Sequence, residues 1–447
     1  MKRFILLLIA IYFSIAAFCQ SNYWQGLRSG LDYGVHVFFE DTVENVLYVG
    51  GEFTKVDTMQ NVFCIAKWDG TNWQKLGSNL NNYVRAIIRH NGYIYVGGDF
   101  TIAGNIDANY IARWNGSEWD SVGSGTNGPV WNFQILNNEL YAMGSFDSAG
   151  SVVVHSLAKW NGDQWSDVFA LPKFDTDGIN FIFNLAYYNN ELYVAGNFFN
   201  GTDINDIIKY NGNSWEKVLG GMYGGMGSVN KMLIYQNELY IAGGFHQSEG
   251  NIGNNIQRWD GSQWRTVGMG TNTTIYDMKI HKNELYIGGQ FSYVDNIPAQ
   301  RIAKWNGTQW CALKGIFNNA VYSLGFFRDT LYVGCGTTID GDTINYIAKW
   351  IGGNYTDTCG ILNNIIIENN QNSEITIYPN PATNILFIQG EKILEISIFN
   401  VIGQKMKYLL NYNQNEIEIN INELKSGIYL ITVITSNGNY NEKIFKE

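Results

Sequence analysis

Charge, proline, cysteine and histidine are all scarce in this chain. Of 447 residues only 15% are Asp, Glu, Lys or Arg, and there are 5 prolines, 5 cysteines and 5 histidines. So little charge excludes a disordered chain and a coiled coil, and so little proline excludes collagen. The 29 basic residues are outnumbered by 40 acidic ones, a net charge of -11, so the basic footprint of a nucleic-acid binder is absent. No His-Glu-x-x-His, Gly-x-Ser-x-Gly or zinc-spaced Cys/His set occurs, and no glycine-rich stretch leads into a helix. Those absences remove the usual signatures of zinc hydrolases, serine hydrolases and nucleotide binders. What is plentiful is glycine, at 49 residues, and aromatic rings, at 15%. That combination favours all-β structure rich in tight turns, and the length suits one large domain and one small one.

The N-terminus reads as a signal peptide over residues 1–19. Lys2 and Arg3 form its charged end, and Phe4 to Phe18 is an apolar run of 15 residues, too short to span a bilayer. Ala17 and Cys19 put small residues at the cleavage positions, so the mature chain is expected to begin at Gln20. Phe18, directly before Cys19, is too bulky for a lipoprotein signal. No later stretch of 18 apolar residues exists, so no transmembrane segment is expected in the mature chain, whose net charge falls to -13.

Internal repeats carry most of the remaining information. Trp68-Asp69-Gly70-Thr71-Asn72-Trp73 recurs with leading aromatics at Trp114, Trp160, Tyr210, Trp259, Trp305 and Trp350, in steps of 46, 46, 50, 49, 46 and 45 residues. A second element recurs in phase, from Leu47-Tyr48-Val49-Gly50-Gly51 to Leu331-Tyr332. Each period holds four short β-like segments, the first pair joined by turns such as Asn91-Gly92 and the last pair by the Trp-motif turn. Seven such periods predict a seven-bladed β-propeller over residues 20–358. Residues 22–27, with Trp24-Gln25-Gly26-Leu27, look like the end of a repeat that lacks its own beginning. They are expected to supply the outer strand of the seventh blade and so close the ring. The tryptophans read as blade-to-blade packing and the Gly-Gly pairs as crowded strand positions.

Residues 359–374 have no repeat and read as a linker, and residues 375–447 alternate in strand fashion around Pro and Gly turns, which predicts a small Ig-like β-sandwich. Here Tyr378-Pro379-Asn380-Pro381, then Gly403 within Phe399-Asn400-Val401-Ile402-Gly403-Gln404, then Gly427 and Tyr429, then Lys443 and Lys446 follow in order. This order resembles the type A C-terminal sorting domain of the Bacteroidetes type IX secretion system. The resemblance implies export by the type IX machinery as a partner, and an extracellular or outer-membrane-surface location. Over residues 22–356 the pattern Gly-Gly-x-Phe-Thr, then Ile-Ala-[Lys/Arg]-Trp-[Asp/Asn]-Gly-x-x-Trp, then Leu-Gly is similar to kelch-like propeller repeats and to the Rax2-like cortical-marker family. That likeness implies fold and leaves function open.

Candidate sites come from symmetry breaking. The connections on the face opposite the tight turns are longer and more varied, as at 169–180, 220–230 and 245–255, and variable long loops on a rigid scaffold are where recognition is usually built. Phe174, Asp175, Asp177, Met222, Tyr223 and His246 are therefore the predicted binding residues; no catalytic residue is assigned. No cofactor is expected, with calcium at Asp175–Gly178 or Asp340–Asp342 as the one alternative. A disulfide from Cys359 to Cys311 or Cys335 would staple the last blades. The reading reached is a secreted or cell-surface binding module for an unknown glycan or protein, without nucleic acid. The alternatives are a carbohydrate-active lyase or hydrolase and a passive surface-layer component.

Overall fold

The computed structural model describes residues 23–172 apart from 79, then 181–199, 205–218, 222, 228–353, 355, 375–400, 405–435 and 438–447. Contacts divide the chain into Met1–Cys359 and Gly360–Glu447. Among the described residues the protein is all-β, with one 3₁₀ turn at Gln247–Glu249 and no helix long and apolar enough to cross a membrane.

Among the described residues the larger unit contains seven four-stranded antiparallel sheets, six of them each built from one sequence period. Their first strands are Val35–Asp41, Val84–His90, Val130–Leu136, Phe181–Tyr188, Val229–Tyr235, Ile275–His281 and Ser323–Phe327. Each first strand packs against the first strand of the next sheet, and Ser323–Phe327 packs against Val35–Asp41. This arrangement fits a propeller-like fold. The seventh sheet takes its outermost strand from the start of the chain: Trp24–Gly26 pairs antiparallel with Ile347–Trp350, Trp24 opposite Trp350. The seam between the two ends of this unit is therefore hydrogen-bonded, as the repeat phasing predicts.

The recurring motif is explained by its turn. In Asp69–Asn72 the Asp69 carboxylate Oδ1 accepts hydrogen bonds from the backbone N–H groups of Thr71 and Asn72, at 2.8 and 2.7 Å. Asn115, Asn161, Asn211, Asp260 and Asn306 repeat that pair of bonds. Gly70 follows at φ 99°, where a side chain would be strained. Across the turn the two tryptophans of a repeat pack together, with centroids 5.0 Å apart in Trp68–Trp73 and 5.2 Å in Trp305–Trp310. The second tryptophan also reaches the preceding sheet: the indole N–H of Trp119 donates to Ser78 O, that of Trp165 to Val122 O and that of Trp310 to Val267 O, at 2.9, 3.0 and 3.0 Å. Each of these three tryptophans thus buries apolar area and spends its one donor across a sheet boundary.

The Gly-Gly pairs are as crowded as the sequence suggests. A Cβ on Gly97 would lie 2.7 Å from Val130 of the next sheet, and one on Gly98 would run into the Tyr83 carbonyl oxygen. Gly98→Ala is expected to cost about 2–3 kcal/mol through this overpacking, while Gly34→Ala, with open space around its Cβ position, should stay within about 0.5 kcal/mol. Urea unfolding of the two variants checks the pair.

Cys311 is disulfide-bonded, and its partner lies outside the described residues. Cys335 and Cys64 are free and buried, which removes Cys335 from the expected staple. Burial raises both thiols, Cys64 to about 12, so neither is a reactive thiolate at neutral pH.

In the C-terminal unit five strands, Thr376–Tyr378, Ile385–Asn400, Lys405–Asn420, Gly427–Thr435 and Gly438–Lys446, belong to one sheet. Its core is almost entirely aliphatic, with Leu386, Ile388, Ile398, Ile431 and Ile444 fully buried. Ile385–Asn400 pairs irregularly between Gln389 and Ile393, so its two halves take different neighbours: Thr376–Tyr378 on the first half, Gly427–Thr435 on the second.

Candidate functional site

The first strands of six sheets share one irregularity. Pairing skips a residue between Val35 and Val37, Val84 and Ala86, Val130 and Asn132, Ile182 and Asn184, Val229 and Lys231, and Ile275 and Asp277. The skipped residues are His36, Arg85, Trp131, Phe183, Asn230 and Tyr276, and Tyr322 holds the matching place in the seventh sheet. A bulge frees a residue from the ladder and re-aims its side chain. Here it does so at the same end of six first strands, with Tyr322 in the matching place of the seventh, so chemically diverse side chains stand at one end of neighbouring strands, the mouth.

Bulging also strands backbone groups, and polar side chains just after the bulge recover them. Asn132 Nδ2 donates to Phe183 O at 2.7 Å, Asn184 Nδ2 to Val229 O at 3.1 Å, and Ser323 Oγ to Val35 O at 3.0 Å. These bonds tie the third first strand to the fourth, the fourth to the fifth and the seventh to the first, helping to fix the mouth's geometry.

Two kinds of chemistry gather there. Between the first and second sheets, His36 Nε2 lies 2.8 Å from Glu52 Oε1, and Arg85 forms a 2.7 Å ion pair with Asp99. Burial and the Arg85 guanidinium hold the His36 imidazole below its ordinary pKa, against the opposing pull of Glu52 and Asp99. Both causes favour the neutral imidazole over the imidazolium. Tyr83 is exposed beside it, with centroids 6.4 Å apart. Elsewhere the mouth is aromatic: Trp131 stacks on Phe183 at 5.3 Å, and Tyr276 on the exposed Tyr322 at 5.5 Å and 14°. The Tyr276 hydroxyl donates to Gln290 Oε1 at 3.1 Å, and Tyr322 donates to Asn319 Oδ1 at 3.1 Å, so both rings are held in place.

Of the residues expected from the sequence, Phe174, Asp175, Asp177 and Tyr223 lie outside the described residues. Met222 is buried in the core between the fourth and fifth sheets, where its sulfur accepts from Gln257 Nε2 at 3.2 Å. His246 is half-buried just beyond the strand Glu238–Gly243, its carbonyl accepting from Asn251 Nδ2. Asp340 Oδ1 accepts from Ile316 N at 2.7 Å, a bond that ties two separate segments of the chain together. Among the described residues no three His, Cys, Asp or Glu side chains converge as metal ligands. The mouth residues escaped the sequence reading because a bulge has no periodic signature, so residues in seven separate strands could not be put in register. A concavity of about 390 Å³ opens at the seam, lined by Gly70, Phe327, Arg328, Tyr332, Lys349 and Trp350. Its Arg328 is already committed to Asn45 and lies over the Phe327 ring.

In the C-terminal unit the separated sequence elements meet. Both X–Pro bonds of Tyr378-Pro379-Asn380-Pro381 are cis. Asn380 then clamps the last strand, donating from Nδ2 to Lys443 O at 2.8 Å and accepting Phe445 N–H at 2.9 Å. The Tyr378 hydroxyl donates to Glu416 Oε1, and Tyr429, buried in the core, donates to Lys425 O. Lys443 lies over the Phe445 ring, Lys446 pairs with Gly427, and Gly403 lies outside the described residues.

Residues 376–447 match the model of the secretion system C-terminal sorting domain. That tail indicates handling by the type IX secretion system and delivery to the cell surface or extracellular space. No curated protein matches the chain. Among solved structures it is similar to the extracellular domain of a putative one-component system, BT4673, from B. thetaiotaomicron, at 12% identity and a TM-score of 0.43 over 93% of this chain. It spans 56% of that structure's length. It is also similar to the computationally designed Ika8 protein, at 11% identity and a TM-score of 0.42, covering 94% of this chain and 99% of that one.

Proposed function

We propose that residues 20–358 form a seven-bladed, kelch-like β-propeller that works outside the cell as a binding module, with glycan taken at the mouth formed by the bulged first strands. The sorting tail, read as an Ig-like sandwich folded about the irregularity at Gln389–Ile393, delivers it. The observation that carries the reading is the pair of held tyrosines, Tyr276 and Tyr322, stacked at the rim beside polar neighbours. Flat faces fixed by hydrogen bonds at a concave rim offer apolar contact to a sugar ring at little entropic cost, with polar groups alongside for its hydroxyls.

A glycan array probed with the mature chain tests this. Binding is expected without release of sugar, and Tyr276→Ala with Tyr322→Ala should weaken it about tenfold or more while the melting temperature holds within a few degrees. The second reading, a lyase or hydrolase, is favoured by His36, held between Glu52 and Arg85. Sugar released in the same wells, and lost in His36→Ala, would establish that reading and overturn the first. Silence on binding and turnover alike would point to a passive surface component.

A further inference from the structure

One position on each first strand pairs with the tyrosine of the Leu-Tyr element on the second. Six of the seven are Phe39, Ile88, Gln134, Ala186, Leu233 and Gly325. None of them is charged. The seventh is Lys279, opposite Tyr286. It is half-buried and has no hydrogen bond or ion pair among the described residues. Two residues earlier on the same strand stands Asp277, buried to 4% exposure. Lys231, on the neighbouring first strand, approaches Asp277 Oδ1 at 3.4 Å.

The single carboxylate cannot satisfy both ammonium groups. Asp277 Oδ1 already accepts Met278 N–H at 2.9 Å, and Oδ2 accepts Leu324 N–H at 2.8 Å from the seventh sheet. Its negative charge is thus committed to the backbone and to Lys231. Lys279 lies in a largely apolar ring, where burial and the Lys231 ammonium pull its pKa down against Asp277. Keeping an uncompensated ammonium there is costly unless an anion completes the set.

We propose that Lys231 and Lys279 form an anion-binding site behind the mouth, one that selects a ligand carrying a carboxylate or sulfate group. Resting on the glycan reading above, it makes the preferred ligand an acidic saccharide rather than a neutral one. The surrounding chain is acidic, at -11. Selectivity must therefore come from these two close contacts and not from long-range attraction.

The test uses the mature chain and three probes: trigalacturonate, neutral galactotriose and inorganic sulfate. Lysines are acylated with acetic anhydride and mapped by mass spectrometry, and binding is followed by calorimetry. Acylation of Lys279 should slow about tenfold once trigalacturonate or sulfate stands at ten times its Kd, and galactotriose should not slow it. Lys279→Met and Lys231→Met should each remove the preference for the acidic trisaccharide. If sulfate protects and the acidic saccharide does not, the site takes a free anion and the saccharide assignment falls. If no anion protects Lys279, the anion site is overturned even where neutral sugar binds. If anions protect and no sugar binds, the site stands and the glycan reading fails.

Discussion

Trp24→Ala is expected to lower the unfolding free energy by about 3–5 kcal/mol, as large as any single core truncation in this chain. The indole is only 2% exposed. It packs edge-on against Phe317 and Trp350 at 5.3 and 4.9 Å, and its N–H donates to Lys314 O at 2.6 Å. Trp119 and Trp165 make equivalent contacts, packing on Trp114 and Trp160 of their own sheets and donating to the preceding ones. The difference lies in connectivity, because Trp24 joins the start of the unit to its end. Around it run further seam bonds: Ile351 N–H to Tyr23 O, Leu31 N–H to Asn345 O, and Asn345 Nδ2 to Ser29 O. Loss of Trp24 should therefore release the edge of the seventh sheet, and with it the register of the ring. Hydrogen exchange should then rise at Thr330–Gly334 and Ile347–Trp350 and spread to Val35–Asp41. In Trp119→Ala, with a comparable loss of stability, the rise should centre on the second sheet. Equal and uniform exchange in both variants would mean that the seam is no weaker than any other boundary.

How much of this was legible beforehand depends on whether a feature repeats. The paired aromatics and the Leu-Tyr strand recur in all seven periods and the Asp/Asn-Gly turn in six, so the sequence displays the four-strand period and even the displaced strand at Trp24. The sorting elements are legible because their order is specific, although Asn380's grip on the last strand is visible only in three dimensions. Function sits at the positions that do not repeat. His36, Arg85, Trp131, Phe183, Asn230, Tyr276 and Tyr322 share a place and no chemistry, and the place itself is marked only by a bulge. Loop length was the one asymmetry visible in sequence. It led to Met222, whose side chain turns out to serve the core, and to residues outside those described.

The same repeat logic isolates a buried acid. At the start of the third strand of each sheet, directly before it or, for Asp206, at the second residue of Asn205–Tyr210, a residue adopts positive φ: Cys64, Tyr110, Ser156, Asp206, Asn255, Arg301 and Tyr346. In the fifth sheet Asn255 suits the place, accepting Phe245 N–H through Oδ1 and donating through Nδ2 to Thr271 O at 2.8 Å. Asp206 in the fourth sheet keeps the first bond, from Phe198 N–H at 3.0 Å, and has no amide to donate. It is 5% exposed, and burial raises its pKa from 3.8 to about 7, with the Phe198 bond opposing. Because the folded value lies above the unfolded one, the penalty is absent below about pH 4. It grows as pH rises towards 7 and is complete above that. A displacement of this size caps the cost at about 4 kcal/mol. Asp206→Asn should therefore match the parent near pH 4 and exceed it by about 2–4 kcal/mol at pH 8. Urea unfolding at the two pH values decides the matter through the difference between the chains, which cancels every other titrating group. A difference that does not change between them would mean that Asp206 is ionised and compensated in the fold, and that the asparagine of the fifth sheet owes nothing to charge.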